Sequence, residues 1–139
     1  MKLKNLCKVS YNQALSKGFH DDSLKIPKKM RRLGFSASEV RAVEVAFTNQ
    51  AVLLSITELA ESCEALRHNR VQSNAVYGYK HGRKKPRVGW CKDTFEDEIA
   101  DTFIRLADMC DGMGIDIEWQ LKKKLAYNKL RPRLHGKKF

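Results

Sequence analysis

Helical periodicity dominates the hydrophobic pattern of this chain. From Ser36 to about Asn69, apolar residues recur nearly all round a helix, which predicts a long helix buried on more than one side. Ser36-Ala-Ser-Glu39 at its start is a capping box, in which each side chain satisfies a backbone N–H of the other residue. Three further helices are predicted, over 3–17, from Asp93 or Thr94 to about Cys110, and from Asp116 to just before Pro132.

The segments between these helices lack a clear period. Residues 19–33 are expected to be irregular, with Pro27 opening a short turn before Gly34. Residues 70–93 combine glycines, a proline and many cations, and are interpreted as a basic loop insertion. Residues 132–139 form a basic C-terminal extension. Four helices without a convincing strand predict one all-α domain over 1–139, a four-helix-type bundle completed by oligomerisation.

Composition narrows the class of protein. An apolar content of 42% suits a globular domain, and the absence of a membrane-length apolar run or an apolar leader predicts a soluble cytoplasmic protein. The four cysteines contain no C-x-x-C pair, so a zinc ribbon is not expected, and Cys63 and Cys110 are interpreted as buried thiols. A net charge of +11 favours a polyanionic partner, either a nucleic acid or a phosphorylated small molecule.

Two acidic pairs stand out against this basic background. Glu58-x-x-Glu61 and Glu98-x-x-Asp101 each place two carboxylates about one helical turn apart. A helical wheel puts Glu58 and Glu61 on the side of Val40 and Phe47, where the core is expected. Buried carboxylates are unfavourable unless they are paired or bind a metal, so this position favours a metal site. Glu58 and Glu61 do not extend the only narrow polar stripe of this helix, which consists of Arg41, Glu44, Thr48, Ser55 and Ser62.

The later acidic pair lies at the border of a predicted apolar face. That face consists of Ile99, Phe103, Leu106 and Cys110, while Arg105 is placed to pair with Asp101 or Asp108. If the two acidic helices face each other, four carboxylates converge and favour Mg²⁺, or else Mn²⁺. The competing interpretations are a solvated acidic surface and a di-iron bundle, although the latter requires Glu-x-x-His pairs that this chain lacks. Glu64 is a weaker candidate ligand, and Glu96 is expected to serve the helix cap.

The last predicted helix carries a cationic face. Lys124, Tyr127, Asn128 and Arg131 recur at spacings of three and four residues. Arginine can fork two phosphate oxygens and lysine can act as a point charge, so this face predicts phosphate binding. The alternative is a solvated basic helix.

The stretch EDEIADTFIRLADMCDGMGIDIEWQLKKKLAYNKLRP, together with the earlier E-x-x-E, resembles the MazG-like nucleotide pyrophosphohydrolases, the all-α NTP pyrophosphatases. The resemblance implies cleavage of a nucleoside triphosphate into its monophosphate and pyrophosphate, in a homodimer or homotetramer that completes its site between subunits. The same resemblance implies roles for individual residues. Magnesium would be held by Glu58, Glu61, Glu98 and Asp101; the substrate would be bound by Lys124, Tyr127, Asn128, Arg131 and His20, with Phe19 beside the base.

Two departures from the family pattern are present. The basic insertion lengthens the interval between Glu61 and Glu98, and Thr57 stands where many members carry a further glutamate. The alternative function is that of a small basic nucleic-acid-binding protein, which would use Lys80–Arg87 and the C-terminal tail. A third interpretation keeps the fold without catalysis, as a binding or scaffold protein.

Overall fold

The computed structural model describes residues 2–71 and 92–133. These residues form five α-helices and no strand, which confirms the predicted all-α fold. Residues 72–91 of the predicted basic loop, with Lys80–Arg87 and Cys91, and residues 134–139 of the C-terminal extension lie outside the described residues. The helices are α1 (Leu3–Ser16), α2 (Asp21–Arg32), α3 (Ala37–Arg67), α4 (Phe95–Gly112) and α5 (Ile117–Lys129).

Helix α2 corrects the prediction of an irregular segment over 19–33. Pro27 lies inside this helix, where it removes one backbone hydrogen bond, yet the residue is buried. Asp21 and Asp22 occupy the first turn, and the last turn is basic, which complements the helix dipole at both ends. The terminal charges and the burial of Pro27 therefore outweigh the lost hydrogen bond.

Helix α4 is the centre of the fold, with α1 and α3 packed against it. Helices α3 and α4 run antiparallel, and the end of α3 lies beside the start of α4. There Phe95 donates its N–H to the Arg70 carbonyl, just beyond α3, at 2.9 Å. Helix α1 also runs antiparallel to α4: Cys7 packs beside Cys110, while Lys17 lines the same pocket as Asp101. Helix α5 contacts α1, where the Glu118 carboxylate accepts the N–H of Lys4 at 3.0 Å.

The buried face of α3 is small and polar. Ser36 caps the helix through the predicted capping box, and further along Ser55 and Ser62 are buried. Their hydroxyls donate to the carbonyls of Ala51 and Leu59 within the helix. Glu58 is buried with Ser55 and Ser62, so the prediction that Glu58 lies apart from the polar stripe is wrong. Cys63 is exposed, which corrects its assignment as a buried thiol.

Helix α4 likewise buries polar residues and leaves apolar residues exposed. Glu98 and Thr102 are buried, whereas Phe103 is 60% exposed and Leu106 is 40% exposed. Of the predicted apolar face, only Cys110 is fully buried, in a small core cluster with Cys7 and Ala107. The contact with α1 and α3 thus selects a different side of the helix from the one that hydrophobicity alone favours. Within residues 2–71 and 92–133, no helix combines the length and apolar content needed to cross a bilayer.

Candidate metal centre

The antiparallel contact between α3 and α4 brings three carboxylates together. One oxygen each from Glu58, Glu61 and Glu98 lies within 4.8 Å of the others. Glu58 and Glu98 are buried, with 7% and 5% of their surfaces exposed, while Glu61 stands at the exposed edge. The predicted burial is confirmed for Glu58 and is wrong for Glu61. Oxygen ligands at this spacing suit a hard divalent cation.

Glu98 is the least compensated member of the group. No described side chain donates a hydrogen bond to its carboxylate, and its neighbours are themselves acidic. Burial raises the pKa of Glu98 first of all, and the charges of Glu61 and Glu58 raise it further. A buried carboxylate repelled by two others is costly to the folded protein unless a cation neutralises it.

Asp101 lies one turn further along α4 at the border of this group. Burial raises the pKa of Asp101, with contributions from Asp97 and Glu58, while Lys92 and Arg105 act in the opposite direction. The structure therefore places all four predicted acids in one electrostatic field, with three of them in direct ligand geometry. Asp101 is not among those three.

Asp97 is a member of this acidic neighbourhood that the sequence interpretation missed. Thr94 is the N-cap of α4, and its hydroxyl accepts the N–H of Asp97 at 3.3 Å, while the Asp97 carboxylate accepts the N–H of Asp93. The spacing Thr94-x-x-Asp97 was the available signal, since it matches an N-terminal cap with an acid in the first turn. The cap places a further negative charge near Glu98 and Asp101.

Arg105 supplies the positive charge in the cluster. Its Nε–H donates to the Glu58 carboxylate, rather than pairing with Asp101 or Asp108 as the sequence suggested. The Glu58 side chain is 9% exposed and that of Arg105 is 41% exposed, so the guanidinium reaches inward from the surface. Glu64, the weaker candidate ligand, instead pairs with Arg67 and His68 at the end of α3.

A pocket of about 590 Å³ adjoins the acidic cluster, between α1, α3 and α4. Asp101 and Arg105 form the wall that the pocket shares with the cluster. Its other walls combine four large apolar side chains with two amides, from Phe19, Phe47, Leu54, Ile104, Gln13 and Gln50. This volume and this mixture are typical of sites for small organic ligands.

His20 also lines this pocket. Its Nε2 lies 2.7 Å from the Asp108 carboxylate, and its ring centroid is 4.7 Å from that of Tyr11. The predicted role of His20 in substrate binding stays a prediction, although His20 and Asp101 line the same pocket. Asp108 also orients the imidazole, so the ring is held by both α1 and α4.

The predicted phosphate-binding residues form a group of their own on and just after α5. Tyr127 is flanked by two cations, with Lys124 Nζ 5.3 Å and Arg131 Cζ 5.9 Å from its ring centroid. Helix α5 has no buried residue, and no hydrogen bond or ion pair joins Lys124, Tyr127, Asn128 or Arg131 to the acidic cluster. Within the described part of a single chain, these residues and the carboxylates remain separate.

Comparison of the chain with protein-family models, with curated proteins and with solved structures gives no match. The chemistry of the site therefore has to be inferred from its own residues. They offer converging carboxylates, an adjoining pocket with apolar and amide walls, and a cationic face on another helix.

The raised pKa of Glu98 predicts a pH dependence of stability. Between the ordinary glutamate value of 4.5 and its raised value, the folded protein holds a proton that the unfolded chain releases. Stability should therefore fall as pH rises through this window, in the absence of divalent cations. Thermal unfolding in EDTA across this range checks the sign. Glu98→Gln should flatten this part of the curve, and a slope that is unchanged in the variant would contradict the assignment.

Proposed function

We propose that this protein is a Mg²⁺-dependent nucleoside triphosphate pyrophosphohydrolase of the MazG-like type, with Mn²⁺ as an alternative ion, acting in the cytoplasm. The observation that carries the proposal is the convergence of Glu58, Glu61 and Glu98, with buried Glu98 lacking any described donor, next to a ligand-sized pocket. Carboxylates that converge and are partly buried, in a chain of net charge +11, favour a metal site over a solvated acidic surface.

The carboxylates fit a hard divalent cation. Glu58, Glu61 and Glu98 would hold it, and Asp101 lies close enough to contribute to the same field. When bound, Mg²⁺ would neutralise phosphate charge and favour ionisation of an attacking water. An acid of the cluster that does not bind the ion would accept a proton from that water. Arg105 donates a hydrogen bond to Glu58 and also lines the pocket.

The pocket is suited to the base and sugar of a nucleotide. Its apolar side chains can cover the faces of a planar ring, and the Gln13 and Gln50 amides can donate to and accept from its edge. His20, which is in hydrogen-bond contact with Asp108, lines the same pocket. The triphosphate would then extend toward Asp101 and the carboxylates. This arrangement supports a nucleotide as substrate without distinguishing the base.

A panel of NTPs and dNTPs tests the proposal, with coupled detection of the released pyrophosphate. We expect turnover that requires Mg²⁺ or Mn²⁺ and yields monophosphate and pyrophosphate in equal amounts. Glu61→Gln and Asp101→Asn should each lower kcat/KM by roughly a hundredfold, the scale of losing one preorganised charge at a reaction centre. Glu44→Gln, a change at a half-buried α3 glutamate outside the cluster, is the matched control. Absence of metal-dependent turnover on every nucleotide would overturn the proposal.

Homo-oligomerisation is the second part of the proposal, and the outer face of α3 supports it. A seam of residues alternates at spacings of four and three along this helix and is exposed throughout: Val45, Asn49, Val52, Ile56, Leu59, Cys63 and Leu66. This is the spacing by which one helix packs along another, and Asn49 is the only amide in it. The seam carries no charged residue, although 31% of the chain is charged.

A second copy of this chain is the proposed occupant of that seam. The inner side of α3 is already covered by α4, and the inner residues are small or polar. Most of the large apolar side chains of α3 therefore remain outside, including Ile56 at 54% and Leu59 at 45% exposure. Two such seams facing each other would add a larger apolar core to the small one of the single chain. An assembly of this kind also allows α5 of one chain to approach the carboxylates of another.

Nucleic-acid binding is the alternative function, and the surface of α5 favours it. Lys123 Nζ lies 5.7 Å from the Trp119 ring centroid, and Tyr127 is flanked by two cations, so rings and positive charges alternate on an exposed helix. Such surfaces bind single strands by stacking and charge. A gel shift with single-stranded DNA should then show affinity that falls steeply with salt. Deleting Lys80–Arg87 would weaken this binding without affecting nucleotide turnover.

A further inference from the structure

We infer that Arg105 is a resident counter-cation of the carboxylate cluster, which competes with a divalent cation for Glu58 and thereby sets how tightly the centre binds metal. The inference rests on the proposed metal centre. It goes beyond that centre by assigning to a non-ligand side chain the control of metal affinity and of the stability of the metal-free protein.

The position of Arg105 carries the first step. Its Nε–H donates to a Glu58 oxygen, and Glu58 also belongs to the group of three converging carboxylates. A lone pair that accepts from a guanidinium is not available to a metal at the same moment. In addition, a positive charge at one ligand lowers the attraction of the whole cluster for a second cation.

The charge balance carries the second step. Glu58, Glu61, Glu98 and Asp101 share one field, and Arg105 is the cation that hydrogen-bonds to a buried member of it. Lys92 acts on Asp101 only from an exposed position. Without Arg105, the metal-free protein would contain an unpaired carboxylate at Glu58 beside the unpaired one at Glu98, which is unfavourable in a buried site.

These two steps predict opposite effects of one substitution. Removing the guanidinium should make the metal-free protein less stable, and at the same time make the cluster bind a divalent cation more tightly. A residue that only supported the fold would not behave in this way, because its loss would loosen the site and weaken metal binding. The sign of the change in affinity therefore separates a counter-cation from a structural support.

The experiment uses Mn²⁺ as the probe, titrated into the full-length protein after EDTA treatment and followed by electron paramagnetic resonance of the free ion. Arg105→Gln should lower the melting temperature in EDTA, lower the Kd for Mn²⁺ about tenfold, and give a larger stabilisation by the ion. Arg105→Lys keeps the charge, and its Kd for Mn²⁺ should lie between those of the wild type and Arg105→Gln. This variant replaces Arg105→Gln in the titration if the glutamine variant does not fold without metal.

Arg31→Gln is the matched control, because it removes an arginine–glutamate pair of 2.5 Å to Glu44, outside the cluster, and should leave the Kd for Mn²⁺ unchanged. Unchanged or weaker Mn²⁺ binding in both Arg105 variants would overturn the inference. If Arg105→Gln binds Mn²⁺ and the wild type does not, Arg105 is confirmed as the counter-cation while the proposed metal-dependent hydrolysis fails. If no variant binds Mn²⁺, both proposals fall.

Discussion

Glu98→Gln is expected to abolish metal-dependent nucleotide hydrolysis while stabilising the metal-free protein. Glutamine keeps the size of the side chain and removes a buried charge that Glu61 and Glu58 repel. We expect kcat/KM to fall by at least about a hundredfold, because one of the converging oxygen ligands becomes a neutral amide. In EDTA, the melting temperature should lie above that of the wild type, because burial and the charges of Glu61 and Glu58 disfavour the ionised carboxylate that the substitution removes.

The opposite signs of these two effects make the measurement decisive. Altering a side chain that serves structure alone would lower the stability of the protein. A side chain that serves metal binding instead destabilises the metal-free protein, so altering it raises that stability. Asp111→Asn is a suitable control, since Asp111 is an exposed acid near the other end of α4. Calorimetry in EDTA and in excess Mg²⁺ supplies both readouts. Retained activity together with lower stability in EDTA would show that Glu98 has no part in a metal centre.

Ile56→Lys is expected to dissociate the proposed oligomer. Ile56 lies in the middle of the exposed α3 seam, and in a paired seam its side chain would be surrounded by the partner's apolar residues. A lysine there would be buried without a partner, which costs several kcal/mol and should raise the dissociation constant by roughly a thousandfold. Light scattering of this variant after size-exclusion chromatography should then give the mass of a single chain, 16.0 kDa.

Thr57→Lys is the matched control for this experiment. Thr57 is the next residue on α3, is exposed, and lies outside the seam, so the same added charge should leave the oligomer intact. A wild-type protein that is monomeric at all concentrations would contradict the proposal directly. If both lysine variants dissociate the oligomer, α3 is part of the interface but the seam is not its centre. Activity measured on the Ile56→Lys monomer also tests whether the site needs a second chain.

Local sequence signals were sufficient for most of the helices. The capping box at Ser36 and Glu39 formed as expected, and Asp116 caps α5 by accepting the N–H of Trp119. Both depend only on residues a few positions apart, so they can be recognised without the fold. Helix α2 was missed because Pro27 is a strong local signal against a helix. Its burial, which offsets that signal, depends on packing against the rest of the protein.

The candidate site was predicted only in part, because local spacing can be recognised from the sequence and packing between helices cannot. The spacing of Glu58 and Glu61, and that of Glu98 and Asp101, follows from the helical period alone. Their convergence does not, because it requires α3 and α4 to lie antiparallel in one particular register. The partner of Arg105 shows the limit. Asp101 and Asp108 are its neighbours along the helix, yet the guanidinium donates to Glu58, which is 47 residues away in the sequence.

The sequence by itself determined the helical class, the caps and the residues that share a side of each helix. Only the tertiary structure decided which side is covered. It buried Ser62, Glu98 and Thr102 and left Ile56 and Phe103 exposed, against their hydrophobicity. The physical reason is that periodicity places residues on a common face but carries no information on what packs against that face. Here α4 covers the polar side of α3, and most of the large apolar side chains of α3 remain exposed in the single chain.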